Sequence, residues 1–425
     1  MLADIRVSHY ISFASHISLT IAFSHIFILT AAATNVYLKI LHLSHEPLPD
    51  WRVEKAALTG LRGGHEVLFA GRKISGSYDG NIFAKIFEMN WTAGARYGIP
   101  TYWRSVKKQF EKIIRDVRPD IVHAHNIFSA KLVSEFEIPF VYDDHEYWSK
   151  SSEISNEIEY QNSEANRLRK LQLTNYFRNK LKTAKRRYIN KKISKVWTKW
   201  EWELVNSCPT ITVSEKIAEE LRLIGNNTNK VFVVPNFPLQ SEVMDIKRPT
   251  RHTGLSSVYA GGDGHNKIKF PQRNIDDFID TFSNQNIGSL TIIGWDGQTS
   301  LSSKISYTGF LTRQDMYKEM SKHSIGLIPW RAHWSHVYSS PNKAYEYAHA
   351  GLFVMCTSSL KPVTEYLKDN CLTFDDSNQM LSQLNYFRDN LAELYGKRLK
   401  LFDFAKSNLL WENHEKNILR AYELA

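Results

Sequence analysis

The sequence predicts an α/β protein of two lobes, each a parallel sheet covered by helices. Its 425 residues are too many for one compact core and enough for two domains of ordinary size. From Val36 to the C-terminus, short apolar or β-branched runs alternate with amphipathic stretches, which is the pattern of doubly wound parallel sheets. With 43% hydrophobic and 23% charged residues, the composition is that of a folded globular chain.

The apolar runs form two series of predicted strands, one for each lobe. The first lobe, residues 38–244, has predicted strands at 38–44, 65–71, 120–125, 139–145, 209–214 and 230–235. The second lobe, residues 257–400, has them at 256–262, 289–294, 304–309, 324–329, 352–357 and 371–374. Residues 245–256 are polar and are interpreted as the linker. Because such sheets bind ligands beyond the carboxyl ends of their strands, we expect a ligand site in the crevice between the lobes.

An apolar segment, residues 1–37, precedes the first predicted strand. Residues 10–37 carry no charged side chain and are long enough to span a bilayer. His16, His25 and several Ser and Thr residues dilute its hydrophobicity, and it has no convincing cleavage motif. Three interpretations stay open: an upstream extension or tail, a membrane anchor, and a signal peptide.

The net charge of +10 is concentrated in a helical insert of the first lobe at about residues 151–205. Residues 167–199 hold 13 Lys or Arg and no Asp or Glu, so the rest of the chain has a net charge of −3. Apolar residues recur there at helical spacing. The basic helix over 167–200 either binds an anionic membrane surface, at about 1 kcal/mol per cation, or packs its apolar stripe on the first lobe. It lacks a nucleic-acid recognition module, so nucleic acid is not an expected partner.

The three cysteines, Cys208, Cys356 and Cys371, are widely spaced and form no CxxC pair. They predict neither a disulfide framework nor a thiolate zinc site, and they fit a reducing compartment. We therefore expect a cytoplasmic protein, with peripheral or N-terminal attachment to the cytoplasmic membrane as a further expectation.

The segment SSPNKAYEYAHAGL predicts a helix that starts at the crevice. Pro341 suits a first helical turn, Ser339 or Ser340 can cap it, and Gly351 ends it. The amides and dipole at such a helix start favour a diphosphate, and Lys343 adds a positive charge. The alternative is an ordinary capped helix with solvated side chains.

The chain after residue 38 resembles the family 4 glycosyltransferases of the GT-B fold. The resemblance rests on landmarks in a fixed order: LKILHLSHEP, RPDIVHAHN, IPFVYDDHEYW, TVSEKIAEEL, VFVVPN and SPNKAYEYAHAGLFV. It implies two Rossmann-like lobes, with residues 401–425 crossing back to the first lobe. It also implies transfer of a sugar from a nucleotide-sugar donor to a glycan, lipid-linked or other hydroxyl acceptor, with retained configuration. The sequence has no DxD motif, and we expect neither a metal nor another cofactor.

The resemblance assigns roles to individual residues. It implies that His145 lies near the reacting sugar, that Arg273 and Lys343 stabilise the departing diphosphate, and that Glu346 contacts ribose. The implied donor-binding set is Gly261, Gly262, Lys267, Arg273, Ser340, Pro341, Asn342, Lys343 and Glu346. Tyr338 occupies the position of the family's other conserved glutamate, which leaves the donor sugar open.

Other residues keep alternative interpretations. The loop after the first strand lacks paired glycines, and its side chains His45, Glu46 and Arg52 are expected on the acceptor side or, alternatively, as surface charges. His123 and His125 share one strand face and are interpreted as scaffold rather than ligands. The alternatives to a transferase are another GT-B enzyme, such as a nucleotide-sugar epimerase, and a non-catalytic sugar-binding or scaffold subunit.

Overall fold

The structure is a computed structural model that describes residues 37–72, 80–91, 95–151, 153–154, 157, 192–226, 228–262, 271–295 and 302–425. The apolar segment up to residue 36, most of the basic insert (158–191) and Lys267 lie outside the described residues. Among the helices that are described, none combines the length and the apolar character needed to cross a bilayer.

The first lobe is built on a seven-stranded parallel sheet. Its strands are β1 (Lys39–Pro47), β2 (Glu66–Arg72), β3 (Ile86–Met89), β4 (Ile121–His125), β5 (Phe140–Asp144), β6 (Thr210–Thr212) and β7 (Val231–Val233). The order is β3-β2-β1-β4-β5-β6-β7, so the chain starts in the middle of the sheet and winds to both edges. In this register His42 of β1 lies opposite His123 of β4, and His125 lies opposite Asp143 of β5.

Helices cover both faces of this sheet. They are α1 (Trp51–Arg62), α2 (Pro100–Val117), α3 (Asn126–Val133), a helix over residues 192–207, α4 (Glu215–Ile224) and the short α5 (Gln240–Val243). The Asp50 carboxylate caps α1 by accepting from the amides of Arg52 and Val53, which fixes the start of that helix beside the end of β1.

The second lobe has a six-stranded parallel sheet. Its strands are β8 (Ser256–Ala260), β9 (Ser289–Ile293), β10 (Ile305–Gly309), β11 (Ile325–Ile328), β12 (Phe353–Thr357) and β13 (Cys371–Phe374), in the order β10-β9-β8-β11-β12-β13. Its helices are α6 (Asp276–Asn284), α7 (Arg313–Met320), α8 (Asn342–His349), α9 (Lys361–Leu367), α10 (Ser377–Asp389) and α11 (Leu391–Asn408).

The chain crosses between the lobes twice. On the way out, Leu239 packs in the core of the first lobe and Val243 in that of the second. On the way back, the final helix α12 (Glu415–Glu423) buries Ile418 and Tyr422 in the first-lobe core beside Trp411. The C-terminal return implied by the resemblance is therefore present.

The helix over residues 192–207 is the described end of the basic insert. Trp197 and Trp200 pack edge-on against Phe128 of the first lobe, and Trp200 also contacts Tyr97. For this part of the insert the structure shows the apolar side packed on the lobe, as one of the two interpretations expects. The membrane-binding interpretation depends on the cations at 167–191, which lie outside the described residues.

Candidate functional site

A pocket of about 360 Å³ lies between the two lobes. The first lobe contributes the start of α1 and the residues that follow β5 and β7, and the second lobe contributes the start of α8. The lining residues are Pro49, Asp50, Trp51, Arg52, His145, Glu146, Asn236 and Asn342. The structure therefore brings together Arg52, His145 and Asn342, which lie far apart in the sequence and were each expected at the site.

His145 is placed by the side-chain alternation of β5. Val141 and Asp143 lie on one face of the strand, whereas the Tyr142 hydroxyl donates to Asp144 on the other face at 2.8 Å. Nε2 of His145 lies 3.4 Å from Oδ2 of Asp143. Strand alternation thus separates Asp144 from His145, as expected from the sequence, and puts Asp143 beside it.

A buried ion pair joins Asp143 to Arg52. The Arg52 guanidinium donates to Oδ1 of Asp143 from Nη2 at 2.7 Å and from Nε at 3.1 Å. Its Nη1 donates to the carbonyl of Val234 and to Oδ1 of Asn236. Burial opposes ionisation of Asp143, but Arg52 and the neighbouring histidines hold its pKa well below the usual range. Arg52 lines the pocket, yet its guanidinium is held by Asp143 of β5 and by the residues that follow β7.

Four histidines form a connected cluster behind the pocket. Nδ1 of His125 lies 3.1 Å from Nε2 of His145, and Nε2 of His125 lies 3.0 Å from Nδ1 of His42. His123 lies 2.8 Å from the Tyr422 hydroxyl and 3.3 Å from Asp143. Burial lowers the pKa values of the three interior histidines, so they are neutral at pH 7.

His45 and Glu46 depart from the sequence expectation, because they belong to β1 rather than to the loop after it. His45 is buried against the rings of Phe128 and Trp148, and burial lowers its pKa to about 3. Its side chain is therefore a neutral part of the first-lobe core and not a surface of the crevice. Glu46 is partly exposed, and its Oε1 atom lies 3.4 Å from Nε2 of His45.

The predicted helix of the second lobe is present as α8, with a different cap. Pro341 is itself the N-cap residue and offers no side-chain bond, while the Ser340 hydroxyl lies 2.8 Å from that of Tyr345. The predicted serine cap is wrong because the Ser340 hydroxyl is hydrogen-bonded to the hydroxyl of Tyr345, one turn along the helix. Gly351 follows the helix with φ +77°, a left-handed conformation that suits glycine.

Two cations meet on one indole ring near the start of α8. The Lys343 ammonium lies 4.2 Å from the ring centre of Tyr259 and 5.1 Å from that of Trp330. The Arg273 guanidinium lies 4.8 Å from the same Trp330 ring. A Cβ atom on Gly261 would fall 2.5 Å from the Lys343 ammonium, so glycine at the end of β8 makes room for it. This arrangement concentrates positive charge at the carboxyl edge of the second sheet.

Glu346 is buried in an ion-pair cluster. Its Oε1 accepts from Nη1 of Arg313 at 2.7 Å, and the same guanidinium donates from Nε to Glu242 at 2.9 Å. Arg313 also lies 4.8 Å from the ring centre of Trp51, across the crevice. One oxygen of the carboxylate expected to contact ribose is therefore already bonded, and the cluster spans both lobes.

Tyr338 lies at a contact between the lobes. Its ring packs edge-on against Tyr147 at 5.2 Å, and its hydroxyl lies 3.5 Å from Glu220 of α4. It stands where the resemblance places an acid, and here it contacts the first lobe.

Several side chains at the site had no clear signal in the sequence. Asp143 could have been found, because residues two apart on a strand share a face and His145 follows it. Arg313 and Trp330 could not, since their roles depend on contacts between distant strands and helices. Phe310 is 67% exposed after β10, where a Cβ atom on Gly262 would lie 3.6 Å from its ring. Such a ring is a stacking surface for a planar ligand.

Comparison with known proteins agrees with this architecture. Residues 59–237 match the model of the family described as Glycosyltransferase Family 4. No curated protein matches the chain significantly.

Solved structures with the same architecture come from several organisms. Sucrose-phosphate synthase from Thermosynechococcus elongatus has a TM-score of 0.65 at 12% identity, covering 91% of this chain and 98% of that chain. HepE from Anabaena, in complex with UDP-glucose, has a TM-score of 0.60 at 11% identity, covering 91% and 100%. A protein described as a UDP-N-acetylglucosamine 2-epimerase, from Listeria monocytogenes, has a TM-score of 0.55 at 10% identity, covering 91% and 96%.

At these identities the structural likeness shows the fold alone, which is the GT-B arrangement of two facing lobes. The match to family 4 of the glycosyltransferases covers residues 59–237 of the first lobe. With that match and both sheets in place, the chain has the GT-B fold and its first lobe resembles those of family 4.

Proposed function

We propose that the chain transfers a sugar from a nucleotide-sugar donor to a hydroxyl acceptor, a glycan or a lipid-linked sugar, with retention of configuration. The observation that carries the proposal is one pocket in which His145 of the first lobe faces Asn342 at the start of α8. Lys343, next along that helix, and Arg273 gather on Trp330. A helix start with two cations suits the diphosphate of such a donor. HepE, which shares the fold, is solved with UDP-glucose.

In the proposed reaction the acceptor oxygen attacks the anomeric carbon on the face from which the nucleotide leaves. The bond from that carbon to the diphosphate oxygen breaks, the new glycosidic bond forms, and the acceptor proton passes to a phosphate oxygen. Lys343, Arg273 and the first amides of α8 stabilise the charge of the leaving group. His145 hydrogen-bonds a donor hydroxyl near the developing positive charge. The proposal requires neither a side-chain carboxylate pair nor a metal.

The donor is identified by nucleotide release from a panel of UDP-, GDP- and ADP-sugars. With the donor and acceptor that prove active, Lys343→Ala should lower kcat by about 10²-fold or more. The variant removes a positive charge that acts most strongly on the leaving diphosphate. Lys361→Ala, at an exposed lysine of the same lobe, is the matched control and should keep wild-type kcat. Equal rates for Lys343→Ala and wild type would refute the assigned role.

An epimerase is the second candidate, because a protein described as a UDP-N-acetylglucosamine 2-epimerase shares the fold. The two activities separate when UDP-N-acetylglucosamine is incubated without an acceptor. An epimerase changes the sugar and keeps it on the nucleotide, whereas a transferase needs an acceptor to make its glycoside. Formation of an epimer would overturn the transferase proposal, and absence of binding to every donor would favour a scaffold role.

A further inference from the structure

Three potential ligand atoms meet at the ends of β4 and β5. Nδ1 of His125 lies 3.1 Å from Nε2 of His145 and 3.5 Å from Oδ2 of Asp143, and the last two atoms are 3.4 Å apart. Zinc holds nitrogen and oxygen ligands at about 2.0–2.1 Å, so neighbouring atoms of a tetrahedral site lie about 3.4 Å apart. We propose that these three atoms form a binding site for a transition-metal ion, with Zn²⁺ as the ion that fits best.

The ring orientations select this set over the other histidines. His42, His123 and His125 are stacked with interplanar angles of 13–23° and centre distances of 4.4–5.3 Å. Within this stack, Nδ1 of His42 already pairs with Nε2 of His125 at 3.0 Å, and Nδ1 of His123 already pairs with the Tyr422 hydroxyl at 2.8 Å. The ring of His145, by contrast, is inclined by 64° to that of His125. The rings of His125 and His145 therefore lie in different planes, and Oδ2 of Asp143 lies within 3.5 Å of a nitrogen of each.

The side chains behind the three ligands already hold them in place. Arg52 anchors Asp143 most closely through the other carboxylate oxygen, Oδ1, at 2.7 Å, and its Nε lies 3.1 Å from the ligand oxygen Oδ2. When Nδ1 of His125 binds the ion, its Nε2 proton is available to Nδ1 of His42 at 3.0 Å. Partners of this kind fix the tautomer and the orientation of metal-binding histidines.

The site has an accessible fourth position. His145 lines the pocket and its side chain is 13% exposed, so water or a ligand from the crevice can complete the coordination. Three protein ligands and one open position distinguish a reactive zinc site from a closed structural one. Because Arg52 neutralises Asp143, a bound dication keeps most of its charge and favours an anion at that position.

Metal binding and hydrogen bonding compete for the same His145 nitrogen. Without an ion, the 3.1 Å contact between His125 and His145 is a hydrogen bond. The ring of His145 can leave this bond to contact the donor sugar in the proposed reaction. With Zn²⁺ bound, the ring is fixed by coordination, and we expect turnover to fall. This inhibition rests on the proposed function, whereas the metal site does not.

The test is titration of the full-length, tag-free protein with Co²⁺ after removal of metals by a chelator. We expect one Co²⁺ per chain with the absorption of a tetrahedral complex, displaced by Zn²⁺. His145→Ala should lose that spectrum and weaken binding at least about 10-fold, while His145→Cys should retain a tetrahedral complex with a thiolate ligand. His252→Ala, in the linker before β8, is the matched control and should behave as wild type.

Circular dichroism on each variant establishes that it is folded. Absence of tetrahedral Co²⁺ in the wild-type protein would overturn the proposal. Equal affinity for Co²⁺ in folded His145→Ala and wild type would do so as well. Zinc inhibition of sugar transfer is scored separately, so a failure of the proposed reaction leaves the binding result intact.

Discussion

Gly261 sits at the end of β8 beside the ammonium of Lys343. Gly261→Ala should lower kcat/KM for the donor by about 10-fold, because the new Cβ atom would lie 2.5 Å from that ammonium and displace it. The fold should survive, since the displaced group is the end of a flexible side chain. Gly254→Ala, where a Cβ atom meets nothing within 4 Å, should keep wild-type kinetics. Steady-state kinetics of nucleotide release measure both, and identical values for the two variants would contradict the argument.

The sequence predicts which residues belong to the site better than it predicts the hydrogen-bond partners of each side chain. His145 and Asn342 could be placed at the crevice because each adjoins a predicted strand or helix end. The buried partner of Arg52 could not be foreseen, since it required the pairing of β4 with β5 and the approach of α1. His45 was misplaced because β1 continues to Pro47, beyond the apolar run that ends at residue 44.

All twelve predicted strands occur in the structure, and their ends lie within three residues of the predicted ends. The reason is that buried parallel strands are nearly continuous apolar runs bounded by polar turns. β3 was missed because it is a four-residue edge strand with partly exposed side chains, which lacks such a run. The start of α8 was predicted to within one residue, but its cap depends on a tyrosine whose orientation the sequence does not reveal.

The α7–α8 pair is joined to the first lobe through Arg313. Arg313→Ala should lower the free energy of unfolding by about 3 kcal/mol, because it leaves the carboxylates of Glu242 and Glu346 in a mostly buried position without their cation. Donor KM should rise at the same time if Glu346 contacts ribose. Arg313→Lys should be intermediate, since an ammonium cannot serve both carboxylates as a planar fork does.

Urea unfolding and donor kinetics measure these effects. Arg420→Ala removes an exposed arginine that pairs with the exposed Glu423, and it should change neither quantity measurably. Wild-type stability in Arg313→Ala would show that the cluster is not a structural junction.

The two lobes of the molecule are in contact through Tyr338, which packs against Tyr147 of the first lobe. Tyr338→Phe should behave as wild type, because the edge-on contact with Tyr147 needs the ring and the hydroxyl contact with Glu220 is long at 3.5 Å. Tyr338→Ala removes an aromatic pair of about 0.5–1.5 kcal/mol and should raise donor KM by about 2- to 10-fold by loosening this contact between the lobes. Small-angle scattering should show a larger radius of gyration for this variant. Tyr386→Ala, at an exposed tyrosine of the second lobe, is the control, and a matching KM increase there would refute the explanation.

Two acids buried beside the crevice, Glu201 and Asp144, make the stability of the whole molecule depend on pH. Glu201, on the helix over residues 192–207, accepts from the amide of Ser149 at 2.9 Å, and it lies close enough to Asp144 to raise the pKa of that acid. Neither the Oε2 atom of Glu201 nor the Oδ2 atom of Asp144 has a hydrogen-bond partner within the described chain. Burial raises the pKa of Glu201 to about 7 and, together with Glu201, raises that of Asp144.

A raised acid pKa means that the folded protein keeps a proton that the unfolded chain loses. The stability from this proton is present below pH 4.5 and is lost as the pH rises to about 7. Glu201→Gln is neutral at every pH, so its stability relative to wild type should rise over that window by up to about 3 kcal/mol and then stay level. Urea unfolding at closely spaced pH values measures the difference, which also cancels the opposite trend from the buried histidines. Glu203→Gln, on the more exposed side of the same helix, should show a smaller change. Parallel curves for Glu201→Gln and wild type would mean that folding does not shift the pKa of Glu201.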